Sequence, residues 1–224
     1  MNKFLIAFLS LGLAATAMAA APAGVVTSVS GKVSLYAAAK AGKSTALQPG
    51  AQLYAGDRLL TGANGRAAMV LTDGTQLKVN YNTDITLKDT DVSGKASPRG
   101  IARIAIALGG LWAKVTKKNS RLEFDTPSAV AAVKGTELSL DVTLDELCAK
   151  LKEGKLDINN DLGSSSLTQL QMLCVGKGHK PGAPQTWGGN DGWSSNVGGA
   201  TSAQVEIKFN DGGQDKSVKL DYSK

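Results

Sequence analysis

The sequence predicts an all-β protein whose body is β-helix-like or β-sandwich-like. Its 224 residues contain many runs of about five residues in which apolar and polar side chains alternate, separated by glycine-rich turn signals. One segment, "RAAMVLTDGTQLKVNY", places an Asp-Gly turn between two such runs, which is a strong hairpin signal. Aromatic residues make up only 5% of the chain. Many inward positions are therefore Ala, Val or Leu, which favours a thin core with closely packed layers.

The first nineteen residues have the pattern of a signal peptide, assigned to residues 1–19. Lys3 gives a positive start, an apolar run follows, and Ala17-Met18-Ala19 forms a small-x-small cleavage site. An uncleaved anchor is the alternative, because no charge occurs between Lys3 and Lys32. No later segment approaches the ~18 apolar residues of a membrane span. We therefore expect export to the periplasm or the exterior, with no integral span in the mature chain.

The main β domain is assigned to residues 24–160, and its strands can be followed in order. "KVSLY" alternates after Ser30-Gly31, and the Asp-Gly hairpin follows a polar linker. Ile85 and Leu87 continue the alternation before a basic break at 93–100. "IARIAIALGGLWAKV" then carries period-2 apolar positions on both sides of two glycines, and "RLEFDTP" alternates again.

The segment "TPSAVAAVKGTELSLDV" (126–142) predicts a corner between two strands. Pro127 fixes its own φ and biases Thr126 towards an extended backbone. Gly135 permits a sharp change of direction. Beyond it, alternate residues from Leu138 to Val142 should face one side of a strand. No nucleophile–base pair is evident here, so the segment is interpreted as architectural.

The segment from 143 to 176 fits two structures. Thr143 and Glu146 could form a capping box for a helix that ends at Gly154. Alternation around "LKEGKLDI" favours strands instead. We predict strands for Lys150–Ile158, and "SLTQLQMLCVG" stays open between helix and strand.

Cys148 and Cys174 are the two cysteines of the chain. An oxidising compartment favours a disulfide, and only one pairing exists; two buried free thiols are the alternative. By loop entropy, such a bond contributes about 3 kcal/mol to stability.

The C-terminal part is divided into two segments. Residues 161–199 are interpreted as a disulfide-tied segment followed by a Gly/Asn-rich loop. Residues 200–224 predict a β-hairpin in which Val205, Ile207 and Phe209 share an apolar face with Val218, Leu220 and Tyr222. That face must pack on the main domain or on a partner.

The sequence contains no recognisable catalytic or metal-binding pattern. His179 is the one histidine and lies in a Gly-Lys-Pro loop, where a solvated side chain is the simplest interpretation. One histidine and two paired cysteines cannot supply a closed zinc site. "DTDVSG" resembles the start of a calcium loop but lacks the glutamate at position twelve. We predict a protein that is not an enzyme and that has no cofactor and no bound metal.

Two groups of residues are candidate contacts for a ligand or partner. Trp187 and Trp193 could stack on sugar rings or anchor a protein, although indoles folded back over the core are the simpler interpretation. The second group lies in a stretch without acidic residues that runs from Val92 to Leu122. It could be attracted to an anionic envelope surface, or it could be an ordinary solvated face. No nucleic-acid partner is expected. The basic candidates are Lys114, Lys117, Lys118 and Arg121.

Three segments resemble the FecR domain family. "LYAGDRLLTGANGRAAMVLTDGTQLKVNYNTDITL" (53–87) is similar to the family's Gly-Asp, Thr-Gly and Asp-Gly-Thr landmarks, and "IALGGLWAKV" (106–115) to its strand-glycine-strand segment. "TPSAVAAVKGTELSLDV" is similar to its Thr-Pro…Gly-Thr signature. The resemblance implies an all-β, β-helix-like domain outside the cytoplasm that works through protein contacts. Regulators of this family usually begin with a cytoplasmic region, whereas this chain begins with an export signal, so anti-sigma activity is not carried over.

Two functions follow from the sequence. The first is a non-catalytic envelope protein of the FecR-domain type that binds another envelope protein, with a role in envelope signalling. The alternative is a module that binds cell-wall or surface polysaccharide through Trp187 and Trp193.

Overall fold

The structure is a computed structural model that describes residues 21–40, 42–89, 101–116, 121–190, 193, 203–211 and 214–222. Within these ranges every regular element is a β-strand, so the predicted all-β class is confirmed. No helix in the described part of the chain is long and apolar enough to cross a membrane. The predicted signal peptide lies outside the described residues and stays a prediction.

Nineteen strands follow one another within the described ranges. In order from β1 to β19 they are Gly24–Ser30, Val33–Tyr36, Ser44–Ala46, Gln52–Leu53, Arg58–Thr61, Arg66–Leu71, Gln76–Val79, Asp84–Asp89, Ile101–Lys114, Arg121–Asp125, Val130–Val133, Glu137–Val142, Glu146–Glu153, Leu156–Asn160, Gly163–Leu167, Gln171–Gly176, Gln185–Thr186, Ala203–Asp211 and Gln214–Tyr222.

The strands of the body form two sheets, and the chain passes repeatedly from one to the other. Sheet A has the strand order β4-β1-β6-β7-β9-β12-β13-β16-β17. Sheet B has the order β3-β2-β5-β8-β9-β10-β11-β14-β15. Among the pairings of the described strands, only that of β9 with β10 is parallel. This alternation between sheets along the chain corresponds to the predicted sandwich-like and helix-like character.

Strand β9 belongs to both sheets and joins them. Its first half pairs with β8 and β10 in sheet B, and its second half pairs with β7 and β12 in sheet A. The bend between the halves lies at Gly109, which has a φ of 103°. A Cβ at Gly109 would collide with Thr83, a fully buried residue whose Oγ1 accepts a hydrogen bond of 3.0 Å from the Gly110 amide. The predicted strand-glycine-strand segment is therefore the crossover between the sheets.

The core lies between the two sheets. It consists of the residues that point inward, which alternate along each strand with residues that point outward. In sheet A, Met69, Leu77, Ala113, Leu138 and Leu151 form one cross-strand row, and each is at most 1% exposed. Most core residues are aliphatic. The sequence expectation of a thin aliphatic core is met.

The predicted corner at 126–142 is confirmed. Thr126 closes a tight turn between β10 and β11, because its Oγ1 donates to the Ala129 carbonyl at 2.7 Å. Strand β11 lies in sheet B and β12 in sheet A, with Gly135 between them at a φ of 61°. Leu138, Leu140 and Val142 all face the core.

The open alternative at 143–176 is resolved in favour of strands. Strand β13 covers the segment proposed as a helix, a turn at Gly154 follows, and β14 begins at Leu156. Strand β16 lies beside β13, and Cys148 is paired with Cys174 across the two strands. The predicted disulfide joins them, with the two Cα atoms 4.0 Å apart. Both sheets continue beyond Asn160, and the division of the chain into domains stays a prediction.

The predicted C-terminal hairpin is formed by β18 and β19, which pair in a separate two-stranded sheet. Val205 lies opposite Leu220 and Ile207 opposite Val218. The register differs from a fully apolar pairing at its ends, because Phe209 lies opposite Lys216 and Tyr222 lies opposite Ala203.

Candidate interaction surface

The outward face of sheet A carries an aromatic residue at its centre. Trp112 on β9 alternates with the core residues Leu111 and Ala113 and therefore points away from the core. The Lys78 ammonium on the neighbouring strand lies 4.7 Å from the centroid of its ring, a cation–π distance. Trp112 is not among the contacts predicted from the sequence, although period-2 alternation in "GGLWAKV" already indicates an outward position.

Beside Trp112, Glu137 forms a charged cluster with two lysines. Its carboxylate accepts a hydrogen bond of 2.8 Å from Lys152 and forms an ion pair of 3.3 Å with Lys114. Burial by itself would raise the pKa of Glu137, but the hydrogen bonds and charges of Lys152 and Lys114 outweigh burial and hold this pKa below its ordinary value. Lys114, a predicted contact, is thus held by an ion pair on β9.

The disulfide lies on the same outward face. Asp141, Cys148 and Cys174 are directly opposite one another on β12, β13 and β16. Glu146 stands close to the two sulfur atoms in an arrangement that could suggest metal ligands. Sulfur atoms in a disulfide are not thiolates, so the group does not fit a zinc or iron site.

The two candidate tryptophans are separated and partly covered. Trp187 follows β17, and its indole Nε1 donates to the Leu151 carbonyl at 3.1 Å. Trp193 lies on the outward face of sheet A, with its Cζ2 atom 3.4 Å from the position of a Cβ on Gly110. Both indoles are half-buried, and they contact different strands of sheet A.

The basic candidates do not form one patch among the described residues. Lys114 points outward from sheet A, whereas Arg121 begins β10 in sheet B and is exposed. Lys117 and Lys118 lie outside the described residues. Arg103, from the same basic stretch, forms an ion pair of 2.9 Å with Glu123 on the outward face of sheet B.

Sheet B carries a second charged pair on its outward face. The Arg58 guanidinium donates two hydrogen bonds to the Asp84 carboxylate in a bidentate arrangement, with Nε–Oδ1 and Nη2–Oδ2 distances of 2.7 and 2.6 Å. These hydrogen bonds and the charge of Asp84 raise the pKa of Arg58 further. Leu60 and Leu108 lie on either side of Asp84 in the same cross-strand row and are partly exposed, at 36% and 41%.

The edges of sheet B differ in length. At one end β3 has three residues, Ser44–Ala46, and at the other end β15 has five, Gly163–Leu167. Among the described strands, β15 has a pairing register with β14 alone. An edge of this length presents unpaired backbone groups to which an extended segment of another protein can add.

The described residues offer little for chemistry. His179 is exposed, and its Nδ1 lies 3.1 Å from the Lys177 carbonyl, while Asn160 donates to its backbone oxygen at 2.7 Å. A shallow groove of about 410 Å³ lies between β16 and the 182–185 segment. The residues that line it are Met172, Leu173, Cys174, Gly182, Ala183 and Gln185. These side chains include neither a general base nor a free nucleophile.

Two comparisons with known proteins support the fold. Two crystal structures of a candidate anti-sigma factor from Parabacteroides distasonis are similar to this chain, each with a TM-score of 0.50 at 12% identity. Each likeness covers 59% of this chain and 61% of that chain, so this protein spans about three fifths of the length of the structures it resembles. At this identity the likeness concerns the fold alone. A search of the curated proteins gave no match.

The sequence also matches a family of proteins described as "FecR protein" over residues 57–157. The match begins just before β5 and ends within β14, so it includes the crossover strand β9 and the corner at Gly135. The three segments quoted from the sequence overlap this range. The match supports the resemblance to the FecR domain family over residues 57–157.

Proposed function

We propose that this chain is a non-catalytic regulator of envelope signalling that acts in the periplasm by binding another protein. The match to the FecR domain family over residues 57–157 is the single observation that carries the proposal. The fold shared with a candidate anti-sigma factor supports the same class of role. The export signal predicted at residues 1–19 supports the compartment.

The outer edge of β15 is the surface that suits a protein partner best. Its backbone is extended over Gly163–Leu167, and its exposed side chains there are serines, which leave room for an added strand. The opposite edge of sheet B is less suitable, because β3 has only three residues. Very short edge strands are a common protection against strand addition.

Site-directed photo-crosslinking in intact cells tests this role. A photoreactive residue at Ser164 on β15 should capture a specific envelope protein, whereas the same residue at Thr45 on β3 should not. Both positions are exposed and both lie on edge strands of sheet B, so they form a matched pair. Equal capture at both positions, or capture at neither, would contradict binding through β15.

The compartment has its own test. Fractionation should place the chain in the periplasm, and sequencing of the mature N-terminus should begin at Ala20. A chain that keeps Met1 and stays with the cytoplasmic fraction would contradict the envelope role.

The protein-binding role is favoured over the polysaccharide alternative. The indole N–H, which is the one hydrogen-bond donor of the Trp187 side chain, donates to the Leu151 carbonyl. This indole therefore has a structural role. Binding of purified wall polysaccharide that is lost on Trp187→Ala and Trp193→Ala, in a variant that keeps its circular dichroism spectrum, would reverse this preference.

A further inference from the structure

A strip of apolar residues lies buried on the outward face of sheet A. Val25 and Val70 are opposite one another on β1 and β6, in the cross-strand row that continues to Lys114. Trp112 lies in the adjacent outward row. These three residues, which we call the outer strip, are only 4%, 9% and 8% exposed and do not belong to the core between the sheets.

The outer strip is too well covered for a solvent-facing sheet surface. Of its cross-strand neighbours, Lys78 lies with its ammonium over the Trp112 ring, whereas Gln76 and Ser139 stand beside the strip. One lysine side chain cannot form a layer above all three residues. Ser139 on the same face is 2% exposed, and its hydroxyl has no hydrogen-bond partner. Trp193 lies on this face beside Gly110, in a different cross-strand row from Val25 and Val70, so the burial of these two valines requires a further part of the chain above sheet A.

The C-terminal hairpin has the properties of such a layer. Its register pairs Val205 with Leu220 and Ile207 with Val218, so four apolar residues share one face. The residues between them in the sequence are charged or polar. A two-stranded hairpin is marginally stable at best by itself in water, so this face needs a surface to pack on.

The position of the hairpin points to the same surface. The backbone of β18 comes within 8 Å of β1, measured between Cα atoms. Strand β1 carries Val25, at one end of the outer strip. The hairpin therefore lies near the strand that carries one end of the outer strip.

We infer that the hairpin of β18 and β19 docks with its apolar face on the outer strip and forms a third layer on sheet A. The inference goes beyond the proposed function and does not depend on it. It assigns the occupant of this surface to a segment of the same chain. In this state, the outward face around Trp112 is not available to other proteins.

Hydroxyl-radical footprinting with mass spectrometry tests the docking through Trp112. Trypsin cleavage after Arg103 and Lys114 releases a peptide in which Trp112 is the only aromatic residue. Removal of residues 202–224 should raise the oxidation rate of Trp112 several-fold. Phe124, which is fully buried between the sheets, should stay protected and report that the body remains folded.

Two point variants give a matched control. Val218→Asn alters the apolar face of the hairpin, whereas Ser217→Asn places the same side chain on the opposite face one residue away. Oxidation of Trp112 should rise in the first variant and stay at the level of the unaltered chain in the second. An equal effect of both variants would contradict docking through the apolar face.

Other occupants are separate outcomes of the same experiment, and each would overturn the inference. Protection of Trp112 that is unaffected by removal of residues 202–224, and that is present in the uncleaved precursor but absent from a chain beginning at Ala20, would assign the layer to the N-terminal segment. Protection that disappears on dilution, together with a change of oligomeric state, would assign it to a second copy of the chain. Protection unaffected by either removal or by dilution would leave no role for the hairpin.

Discussion

At the scale of single residues, Gly109 has the strictest steric requirement at the crossover. Its φ of 103° is unfavourable for any residue with a Cβ, and a Cβ would also collide with the backbone and side chain of Thr83. Strand β9 can change sheets at this position because glycine has no side chain. The bend of β9, and with it the crossover between the sheets, therefore requires glycine at position 109.

We expect Gly109→Ala to destabilise the protein by about 3 kcal/mol or more, because strained backbone and steric overlap add. The measurement is urea unfolding followed by circular dichroism. Gly182→Ala is the control, since nothing lies within 4 Å of its added Cβ, and it should change stability by less than about 0.5 kcal/mol. Equal stabilities of the two variants would show that β9 does not need glycine at its bend.

Glu137 gives a prediction about pH. Its folded-state pKa is lowered by Lys152 and Lys114, so the carboxylate stabilises the fold above its unfolded pKa of about 4.3. This stabilisation is lost as the pH falls through the lower folded-state pKa. Glu137→Gln should therefore cost about 1–2 kcal/mol at pH 7, and the difference from the unaltered chain should shrink below about pH 4.

The measurement is urea unfolding of both chains at pH 7, 5 and 3.5. Asp161→Gln is a control for the loss of one exposed negative charge, and it should show a much smaller difference at pH 7. A cost of Glu137→Gln that stays constant down to pH 3.5 would mean that the lysines do not stabilise its ionised form.

At the scale of elements, the disulfide joins two neighbouring strands near the end of the body. It closes the loop from Cys148 to Cys174, which includes β14 and β15 in the other sheet. The cross-link thus restrains a hairpin of sheet B although both cysteines lie in sheet A. Its effect should extend to the edge strand β15, where we propose that a partner binds.

Replacement of both cysteines by serine should lower the free energy of unfolding by about 3 kcal/mol, mainly through greater freedom of the unfolded chain. Urea unfolding of the variant and of the unaltered chain, each with and without dithiothreitol, measures this. The reductant should destabilise the unaltered chain and have no effect on the variant. If dithiothreitol lowered the free energy of unfolding equally in the variant and in the unaltered chain, its effect would not come from the disulfide.

The sequence predicted those elements whose local pattern and tertiary surroundings agree. The Asp-Gly hairpin, the two halves of β9 and the corner at Gly135 are each determined by alternation and by one special backbone position. The segment around Glu146 fitted a helix equally well in the sequence. Its capping box is a local signal, whereas its pairing with β12 and β16 involves residues that are distant along the chain. Tertiary pairing therefore decided the structure there.

The candidate surface could be predicted less well, for a physical reason. In the sequence, Trp187, Trp193 and the basic run stand out by composition alone. Whether such residues meet depends on which sheet each strand joins, and Lys114 and Arg121 belong to different sheets. Period-2 alternation is enough to predict that Trp112 and Glu137 point outward. The degree to which their side chains are buried depends on neighbours that are remote in sequence.

At the scale of the whole molecule, the two sheets are linked too closely to unfold separately. Strand β9 is shared, and the chain passes between the sheets at several corners, so neither sheet is formed by one continuous stretch of chain. The inward residues of both sheets form a single core. Residues 21–186 should therefore behave as one cooperative unit.

This cooperativity can be tested by weakening one sheet and observing the other. Phe124 on β10 is fully buried in the core on the side of sheet B, and Phe124→Ala should cost about 3–5 kcal/mol. All tryptophans lie in sheet A or beside it, at 112, 187 and 193. Tryptophan fluorescence and far-ultraviolet circular dichroism should therefore give one coincident urea transition, shifted equally by Phe124→Ala. A fluorescence transition that keeps its midpoint while the circular dichroism transition shifts would show that sheet A folds independently of sheet B.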